Sequence, residues 1–242
     1  MKGVILAGGL GTRLYPLTYA TNKHLLPVFD KPMVFYPIET LIRAGIKEIL
    51  IVVGGPHAGH FIRVLKNGKH LGIKHLEFVY QENEGGLSDA VRLAEDFADG
   101  GSIAVILGDN TTDADISEAV RKFEAGAIMF LKKVKDPKRF GVPVFDNKDK
   151  EKIIRIEEKP KKPKSEYAST GLYIFDNKCF DYIRTLKPSK RGELEIVDLQ
   201  NIYIKKDAMK WELLKGFWSD AGTFRTLFEV NKYWAKKDLK QK

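Results

Sequence analysis

Cysteine and histidine are scarce in this sequence, and their scarcity excludes several kinds of site. The 242 residues include a single cysteine, Cys179, so neither an internal disulfide nor a cysteine-only metal cluster can form. We expect Cys179 to pack as a small apolar side chain. The five histidines are too scattered along the chain for a metal site, and His24 is not expected to act as a catalyst.

Long apolar runs are also missing, because no stretch reaches the length that spans a membrane. The residue Met1 leads directly into a short apolar segment without the features of a signal peptide. We therefore expect a cytoplasmic protein with no membrane partner.

The basic excess is not concentrated in one patch. Lysine and arginine number 41 against 32 acidic residues, a formal charge of +9, but they are spread along the chain up to a basic tail at 236–242. Basic and aromatic residues do not interleave as they do on nucleic-acid-binding surfaces. The charge predicts a solvated surface that suits small anionic substrates, and no nucleic-acid partner.

A cluster of glycines follows the first predicted strand. The apolar run Lys2–Ala7 is typical of a buried parallel strand, and it leads into the segment Gly8–Arg13, with the letters GGLGTR. Glycines at a strand end let backbone N–H groups approach an anion, and Arg13 and Lys23 add two cations. This combination favours a polyphosphate site over a simple glycine turn.

The two common phosphate motifs are not present. The pattern G-x-x-x-x-G-K-[ST] occurs nowhere, and the dinucleotide fingerprint would need a glycine where Leu14 stands. The second predicted strand, Glu48–Val53, also ends in glycines instead of the acid that would bind a ribose.

Strands alternate with helices as far as residue 134, which predicts a doubly wound, mostly parallel α/β sheet. Pro37 is expected to kink the first helix. The predicted strands are Lys2–Ala7, Glu48–Val53, His75–Gln81, Ile103–Leu107 and Ala127–Lys133, and the predicted helices are Met33–Ala44, His57–Lys69, Ser88–Phe97 and Asp115–Glu124.

Residues 135–242 have a mixed pattern, which predicts an α+β half laid against this sheet. No repeat or linker divides the chain, so we expect a single domain over 1–242. The predicted strands are Val142–Phe145, Ile153–Glu158, Tyr167–Phe175 and Lys210–Leu214, and the predicted helices are Lys178–Arg184, Ile196–Lys206 and Thr223–Lys237.

Three segments resemble the N-terminal signature of the sugar-1-phosphate nucleotidylyltransferases: GGLGTRLYPLT from Gly8, NKHLLP from Asn22 and DKPMV from Asp30. The resemblance runs through nearly the whole chain and favours a short member acting on dTTP and glucose 1-phosphate. It implies a nucleotide-diphospho-sugar transferase fold, with a Rossmann-like nucleotide half at about 1–134, a sugar-phosphate half at about 135–242, and a monomer or small homo-oligomer.

The implied reaction is attack of the sugar-phosphate oxygen on the α-phosphorus of dTTP, which gives dTDP-glucose and pyrophosphate. Bringing anions together calls for a divalent cation and positive side chains rather than a strong base. The resemblance implies Asp109 and Asp220 as Mg²⁺ ligands, and Arg13, Lys23 and Lys159 as the catalytic cations. A helix N-cap or an Asx turn is the alternative for Asp109, and a cap of the helix that begins at Thr223 is the alternative for Asp220.

Gln81 ends the third predicted strand, and its amide offers a donor and an acceptor that match the O4/N3 edge of thymine or uracil. Gly86 permits close backbone approach to the base. Because both bases share this edge, UTP is an alternative to dTTP. The other nucleotide-binding residues implied by the resemblance are Leu6, Ala7, Gly8, Gly9, Gly11, Thr12, Arg13, Lys23 and Asp109.

The segment EEKP is typical of the family and carries Glu158, for sugar hydroxyls, and Lys159, for the sugar phosphate. Pro160 is expected to keep Lys159 extended; a surface lysine is the alternative. The remaining sugar-phosphate residues implied are Asn110, Gly141, Ser169, Thr170, Gly171 and Glu193, the last of which could instead begin a helix.

The sequence departs from the family pattern at a few uncharged positions. Many members have tyrosine where Phe140 stands, valine where Ser169 stands, and Ile-Phe at the place of Thr111-Thr112. A rival of another class is a regulatory protein that binds nucleotide sugars without turnover. It is disfavoured because all five charged catalytic candidates are present.

Overall fold

A computed structural model describes residues 1–149 and 151–240. Its strands are β1 Lys2–Ala7, β2 Pro27–Val28, β3 Lys31–Pro32, β4 Glu48–Gly54, β5 His75–Gln81, β6 Ile103–Leu107, β7 Asn110–Thr112, β8 Ala127–Lys133, β9 Gly141–Phe145, β10 Ile153–Glu158, β11 Tyr167–Phe175, β12 Met209–Leu213 and β13 Trp218–Asp220. Its α-helices are α1 Phe35–Arg43, α2 Gly59–Leu65, α3 Leu87–Arg92, α4 Glu95–Ala98, α5 Ser117–Lys122, α6 Lys178–Arg184, α7 Ile196–Lys205 and α8 Phe224–Leu239.

The architecture centres on a seven-stranded sheet in the order β12-β8-β11-β6-β1-β4-β5. All its strands run parallel to β1 except β11, which is antiparallel to both of its neighbours. The chain moves outward from β1 to β4 and β5 and then returns to β6 on the other side of β1. This reversal opens a crevice at the carboxyl ends of β1 and β6, where sheets of this kind bind ligands.

Both faces of the sheet are covered, which explains the continuous apolar letters of β1. Ile5 packs on one side with Ile38 of α1 and Phe61 of α2. Val4 packs on the other side with Val91 of α3 and with α6 and α7. A strand that is buried on both faces needs apolar side chains at every position. The predicted doubly wound, mostly parallel sheet is therefore confirmed.

Several helices are shorter than predicted. Helix α2 ends at Leu65 because Lys66 and Gly68 have φ values of 52° and 71°, which no α-helix continues. The predicted helix at 88–97 divides into α3 and α4. The expected kink at Pro37 is wrong, since this residue lies in the first turn of α1, where a missing N–H breaks no helical hydrogen bond.

The second half contributes strands to the large sheet instead of only packing against it. Strand β11 lies between β6 and β8, and β12 forms the edge beside β8. Strands β9 and β10 pair with each other in antiparallel orientation and form a small sheet of their own. The sequence did not indicate β7 and β13, which form a separate short ribbon with Asp220 opposite Asn110.

Neither Asp109 nor Asp220 lies where it could cap a helix. Helix α8 begins with a capping box in which Thr223 and Thr226 bond to each other's backbone N–H groups, so Asp220 is not its cap. Asp109 lies between β6 and β7, away from any helix start. The helix-cap alternative is therefore wrong for both residues.

No helix within residues 1–149 and 151–240 is both long and apolar enough to cross a bilayer.

Candidate functional site

Two cavities adjoin at the carboxyl edge of the sheet. The first, of about 230 Å³, lies against the glycine segment and reaches Gln81 and Gly86. The second, of about 590 Å³, extends from Arg13 across to Glu158 and Ser169. Both are lined by Lys23 and Asp109, so the two cavities meet at these charged side chains. Two ligands bound side by side would therefore face each other across Asp109.

Close packing explains the glycines beside the first cavity. A Cβ on Gly8 would lie 2.7 Å from Gln81 Oε1, and one on Gly54 would lie 2.8 Å from the carbonyl oxygen of Gly8. Gly11 has φ of 71°, and its carbonyl oxygen accepts from the Thr18 hydroxyl at 2.9 Å. The segment is thus a tightly held backbone loop, as an anion-binding loop requires.

Lys23 begins a short 3-10 turn that aims it at the junction of the cavities. Asn22 caps this turn, because its Oδ1 accepts from the backbone N–H of His24 at 3.0 Å. The same Oδ1 lies 2.7 Å from His24 Nδ1. Burial, together with the nearby charge of Lys23, lowers the pKa of His24 to about 3. His24 is therefore neutral at pH 7 and serves to hold the turn.

Asp109 forms the charged centre of the site with Lys23. Its Oδ2 lies 2.6 Å from Lys23 Nζ, and only 7% of the residue is exposed. Burial by itself raises the pKa of Asp109, but the Lys23 charge and hydrogen bond outweigh burial and hold that pKa well below its usual range. Asp109 is thus a buried carboxylate that stays ionised.

Asp220 reaches the same place from the β7–β13 ribbon. Its Oδ2 accepts from Arg139 Nη2 at 3.1 Å. Burial, and then the negative charge of Asp109, raise the pKa of Asp220 despite this contact. Two carboxylates with opposed pKa shifts thus share one pocket, and bringing a further cation between them would relieve their repulsion.

Gly222 marks the point on which these groups converge. A Cβ at this position would lie 3.2 Å from Arg13 Nη2, 3.2 Å from Asp220 Oδ2 and 3.3 Å from Asp109 Oδ2. Any larger residue would fill the space that the three charged groups surround. Across the described residues, no cluster of three or more His, Cys, Asp or Glu side chains could hold a metal, so Asp109 and Asp220 are a two-carboxylate set.

The second cavity is lined by side chains that already pair with one another. Glu158 Oε1 lies 3.0 Å from Lys159 Nζ and 3.9 Å from Arg191 Nη2. Arg191 also pairs with Glu193 at 3.1 Å and with Glu195 at 2.9 Å. Glu193 therefore lies in a loop beside the cavity and does not begin α7, which starts at Ile196.

Lys159 does not have the extended backbone that Pro160 was expected to impose. Its φ is 42°, in the left-handed region, and its N–H donates to the carbonyl oxygen of Phe140 at 3.0 Å. This bond closes the end of the β9–β10 hairpin and turns the chain sharply. The turn leaves Lys159 at the mouth of the second cavity with half of its side chain exposed.

An irregularity in β11 shapes the floor of the second cavity. The register of β11 against β8 shifts between Ser169 and Tyr173, and Gly171 has φ of 77°. A Cβ on Gly171 would lie 2.6 Å from Leu107 Cδ1. Ser169 Oγ accepts from the buried amide of Gln200 at 3.3 Å. The bulge thus presents Ser169, Thr170 and Gly171 to the cavity.

The structure brings the sequence-predicted residues together. All of them line one or both cavities except Ala7, which is buried at the end of β1, and Gly11, which lies within the glycine segment. Sequence reasoning missed Arg139, Arg191, Trp218 and Gly222. Arg139 stands two residues before Gly141 and Arg191 two residues before Glu193, so both lie in segments that were already of interest. Trp218 and Gly222 lie two residues on either side of Asp220, and their contacts with Asn110 and Arg13 become visible only in the folded chain.

The sequence model of the family described as Nucleotidyl transferase matches residues 2–237. The chain belongs to this family. The resemblance noted from the glycine segment is thereby confirmed, and the protein is a nucleotidyltransferase.

A curated relative and a solved relative of this nucleotidyltransferase carry the same enzyme name. A glucose-1-phosphate thymidylyltransferase of Neisseria gonorrhoeae is 44% identical over 237 residues, which cover 95% of this chain and 81% of that protein. The solved structure of a Bacillus anthracis protein assigned as a glucose-1-phosphate thymidylyltransferase, in complex with a sucrose, is 45% identical, with a TM-score of 0.90 over 96% of this chain and 94% of its own.

A more distant solved structure supports the fold alone. A UDP-glucose pyrophosphorylase complexed with UDP-glucose superposes with a TM-score of 0.86 over 98% of both chains, at 24% identity. The nucleotidyltransferase fold thus persists where most of the sequence differs.

Proposed function

We propose that this nucleotidyltransferase transfers a thymidylyl group from dTTP to α-D-glucose 1-phosphate, giving dTDP-glucose and pyrophosphate. The observation that carries the proposal is the meeting of two cavities at Lys23 and Asp109. One cavity has a backbone loop for phosphates, and the other has the carboxylate and hydroxyl groups that suit a sugar. The relatives from Neisseria gonorrhoeae and Bacillus anthracis are both named as glucose-1-phosphate thymidylyltransferases, which supports the same pair of substrates.

The sugar phosphate needs no general base, because its oxygen is already an anion when it attacks the α-phosphorus. In our proposal Lys159 and Arg191 bind the sugar phosphate, and Glu158 accepts hydrogen bonds from sugar hydroxyls. Arg13 and Lys23 hold the triphosphate, and negative charge develops on the pyrophosphate as it leaves. Fixed positive groups of this kind lower the barrier by stabilising charge where it develops and by holding the reactants in line.

Mg²⁺ is part of the proposal, with Asp109 and Asp220 as its ligands. The two Oδ2 atoms face one point beside Gly222, and Mg²⁺ prefers one or two carboxylates together with phosphate oxygens and water. When bound, the ion would neutralise charge on the phosphates. A cytoplasmic location and a monomer or small homo-oligomer complete the proposal.

UTP is the second candidate nucleotide. Gln81 lines the first cavity, and its amide meets a base edge that thymine and uracil share. The same orientation of Gln81 would therefore serve a uridylyltransferase that acts on the same sugar phosphate.

Pyrophosphate release tests the proposal when five nucleoside triphosphates (dTTP, UTP, dCTP, ATP and GTP) are each combined with several sugar 1-phosphates. We expect the highest kcat/KM with dTTP and glucose 1-phosphate, and UTP as the next nucleotide. Preference for GTP, ATP or dCTP would contradict the assignment of the first cavity. A preference for another sugar phosphate would contradict that of the second.

A further inference from the structure

Gln81 lies between the glycine segment and α3, where two acceptors hold its amide nitrogen. Nε2 donates to Asp89 Oδ2 at 2.9 Å and to the carbonyl oxygen of Gly86 at 3.2 Å. A carboxylate and a carbonyl can only accept, so the NH₂ end of the amide must face them. The oxygen Oε1 therefore faces the opposite way, toward Gly8 at the edge of the first cavity.

The two acceptors are fixed by the surrounding structure. Arg92 donates to Asp89 Oδ1 through Nη2 at 2.8 Å and Nε at 3.3 Å. The start of α3 and the residues just before it are bonded to a distant loop, since Leu194 N–H donates to the carbonyl oxygen of Gly85 at 2.7 Å and Ser88 N–H donates to that of Leu194 at 3.0 Å. The orientation of the Gln81 amide is thus set by its scaffold before any nucleotide binds.

We propose that Asp89 is a positioning residue for base selection, which it achieves by holding Gln81 Oε1 toward the base as an acceptor. The inference rests on the proposed function, in which the first cavity receives a pyrimidine nucleotide. Thymine and uracil carry a donor at N3, which an acceptor satisfies. Cytosine carries an acceptor at N3, so it would leave two buried acceptors face to face and unsatisfied.

Gln81 alone would not make this distinction. The terminal torsion of a glutamine amide is broad and roughly two-fold, so a free amide exchanges its donor and acceptor ends at little cost. An amide free to rotate would offer Nε2 to cytosine N3 as readily as Oε1 to the N3–H of thymine. The selection against cytosine therefore comes from the contacts that fix Gln81 Nε2, of which the shorter and charged one is with Asp89. This contact does not distinguish thymine from uracil.

The test compares dTTP with dCTP in the wild type, Asp89→Ala and Asp89→Asn, with glucose 1-phosphate as the second substrate. We expect Asp89→Ala to lower the ratio of kcat/KM for dTTP over dCTP by about tenfold, the value of one hydrogen bond of this kind. Asp89→Asn keeps one acceptor oxygen and should retain more of the ratio. The KM for glucose 1-phosphate should stay constant, because Asp89 does not line the second cavity.

Controls separate amide orientation from general damage. Asp96→Ala removes an exposed carboxylate from the neighbouring helix α4 and should leave the ratio unchanged. Calorimetric binding of dTTP and dCTP gives the same comparison without turnover, and thermal melts report folding. If Asp89→Ala does not fold, Asp89→Asn carries the test, with a smaller fall in the ratio.

An unchanged ratio in a folded Asp89 variant would overturn the inference while leaving the proposed function in place. A wild type that turns over neither dTTP nor UTP would overturn the proposed function, and this inference with it. A wild type that accepts dTTP and dCTP equally would overturn the role of the Gln81–Asp89 contact alone.

Discussion

The two cavities are built in different ways, although they share Lys23 and Asp109. The first is shaped by backbone in close contact, as at Gly8 and Gly54, and its polar amide is already held in one orientation. The second is lined by charged side chains that pair with one another, such as Glu158 with Lys159. The first cavity is thus ready for its ligand, whereas the second must exchange its internal ion pairs for contacts with substrate.

This difference separates the expected effects of substitutions. Substitutions in the first cavity are expected to disturb its close packing. Substitutions in the second cavity remove a charged side chain that would otherwise bind the substrate. Changes at the junction affect both cavities at once, and we expect the largest losses there.

The largest loss is expected for Asp109→Asn and Asp220→Asn. Each amide keeps the shape but removes the charge that would hold a cation at the junction, so kcat should fall roughly a hundredfold or more. The double variant should lose little beyond either single variant, because one broken ligand already displaces the ion. The measurement is kcat at saturating substrates and Mg²⁺, with thermal melts alongside. Near-native kcat in either single variant would contradict the proposal that the two carboxylates form one metal site.

Gly222→Ala should come next, although it removes no functional group. The added methyl would stand within 3.3 Å of Arg13, Asp109 and Asp220 and would fill the space between them. We expect kcat to fall by roughly tenfold or more, in line with the cost of a small misplacement at a reacting centre. Gly59→Ala is the matched control, since its Cβ meets no atom of the described residues within 4 Å. Equal activity in both variants would show that the junction is not where reaction occurs.

Lys159→Met should affect only the second cavity. Loss of one charge-assisted contact to a phosphate costs about 1.5–3 kcal/mol, which would appear as a higher KM for glucose 1-phosphate, a lower kcat, or both. The KM for dTTP should remain near the wild-type value. Lys161→Met, which removes an exposed lysine two residues away, should change neither the KM for glucose 1-phosphate nor kcat. If both variants behave alike, Lys159 is a surface lysine.

The smallest expected effect is on stability. Asp220→Asn should raise the melting temperature, although the same substitution lowers kcat. Burial and Asp109 raise the pKa of Asp220, so the folded protein binds a proton there more tightly than the unfolded chain. The ionised group therefore opposes folding at pH values above its folded pKa, and this cost decreases as the pH falls through that pKa and is gone below the unfolded pKa. Removing the charge should raise Tm at pH 7 by about 1–3 °C.

The pH dependence of that difference provides the check. The Tm advantage of Asp220→Asn should shrink as the pH falls through the folded pKa of Asp220. An advantage that stays constant with pH would assign the change to packing instead of charge. The pKa of Asp109 is shifted downward, so its ionised form stabilises the fold above its unfolded pKa. Asp109→Asn should accordingly lower Tm at pH 7.

The sequence predicted the strands better than the helices. Strands such as β1 and β6 begin and end close to where their apolar runs do, because burial on both faces makes nearly the whole strand apolar. Helix ends depend on local backbone geometry, such as the positive φ of Lys66 that ends α2. The position of β11 inside the sheet depends on contacts between residues far apart in the chain, which no local pattern reveals.

The candidate site was predicted where a residue lies in a recognisable segment. Arg13, Lys23 and Lys159 could be proposed in this way. Arg139 and Gly222 were missed because their importance comes from groups that they face across the fold, Asp220 for Arg139 and the pair Arg13 and Asp109 for Gly222. The backbone of Lys159 was mispredicted because a long-range bond to Phe140 overrides the local preference set by proline.

The placement of β11 also affects the order in which the protein can fold during synthesis. Strands β1, β4, β5 and β6 emerge from the ribosome first, but the free edge of β6 is paired only by β11, so it stays open until Phe175 has been made. An open, apolar strand edge is a place where another chain can add. We expect a nascent chain halted between β8 and β11 to associate with itself or with chaperones, and a chain released after β12 to escape both.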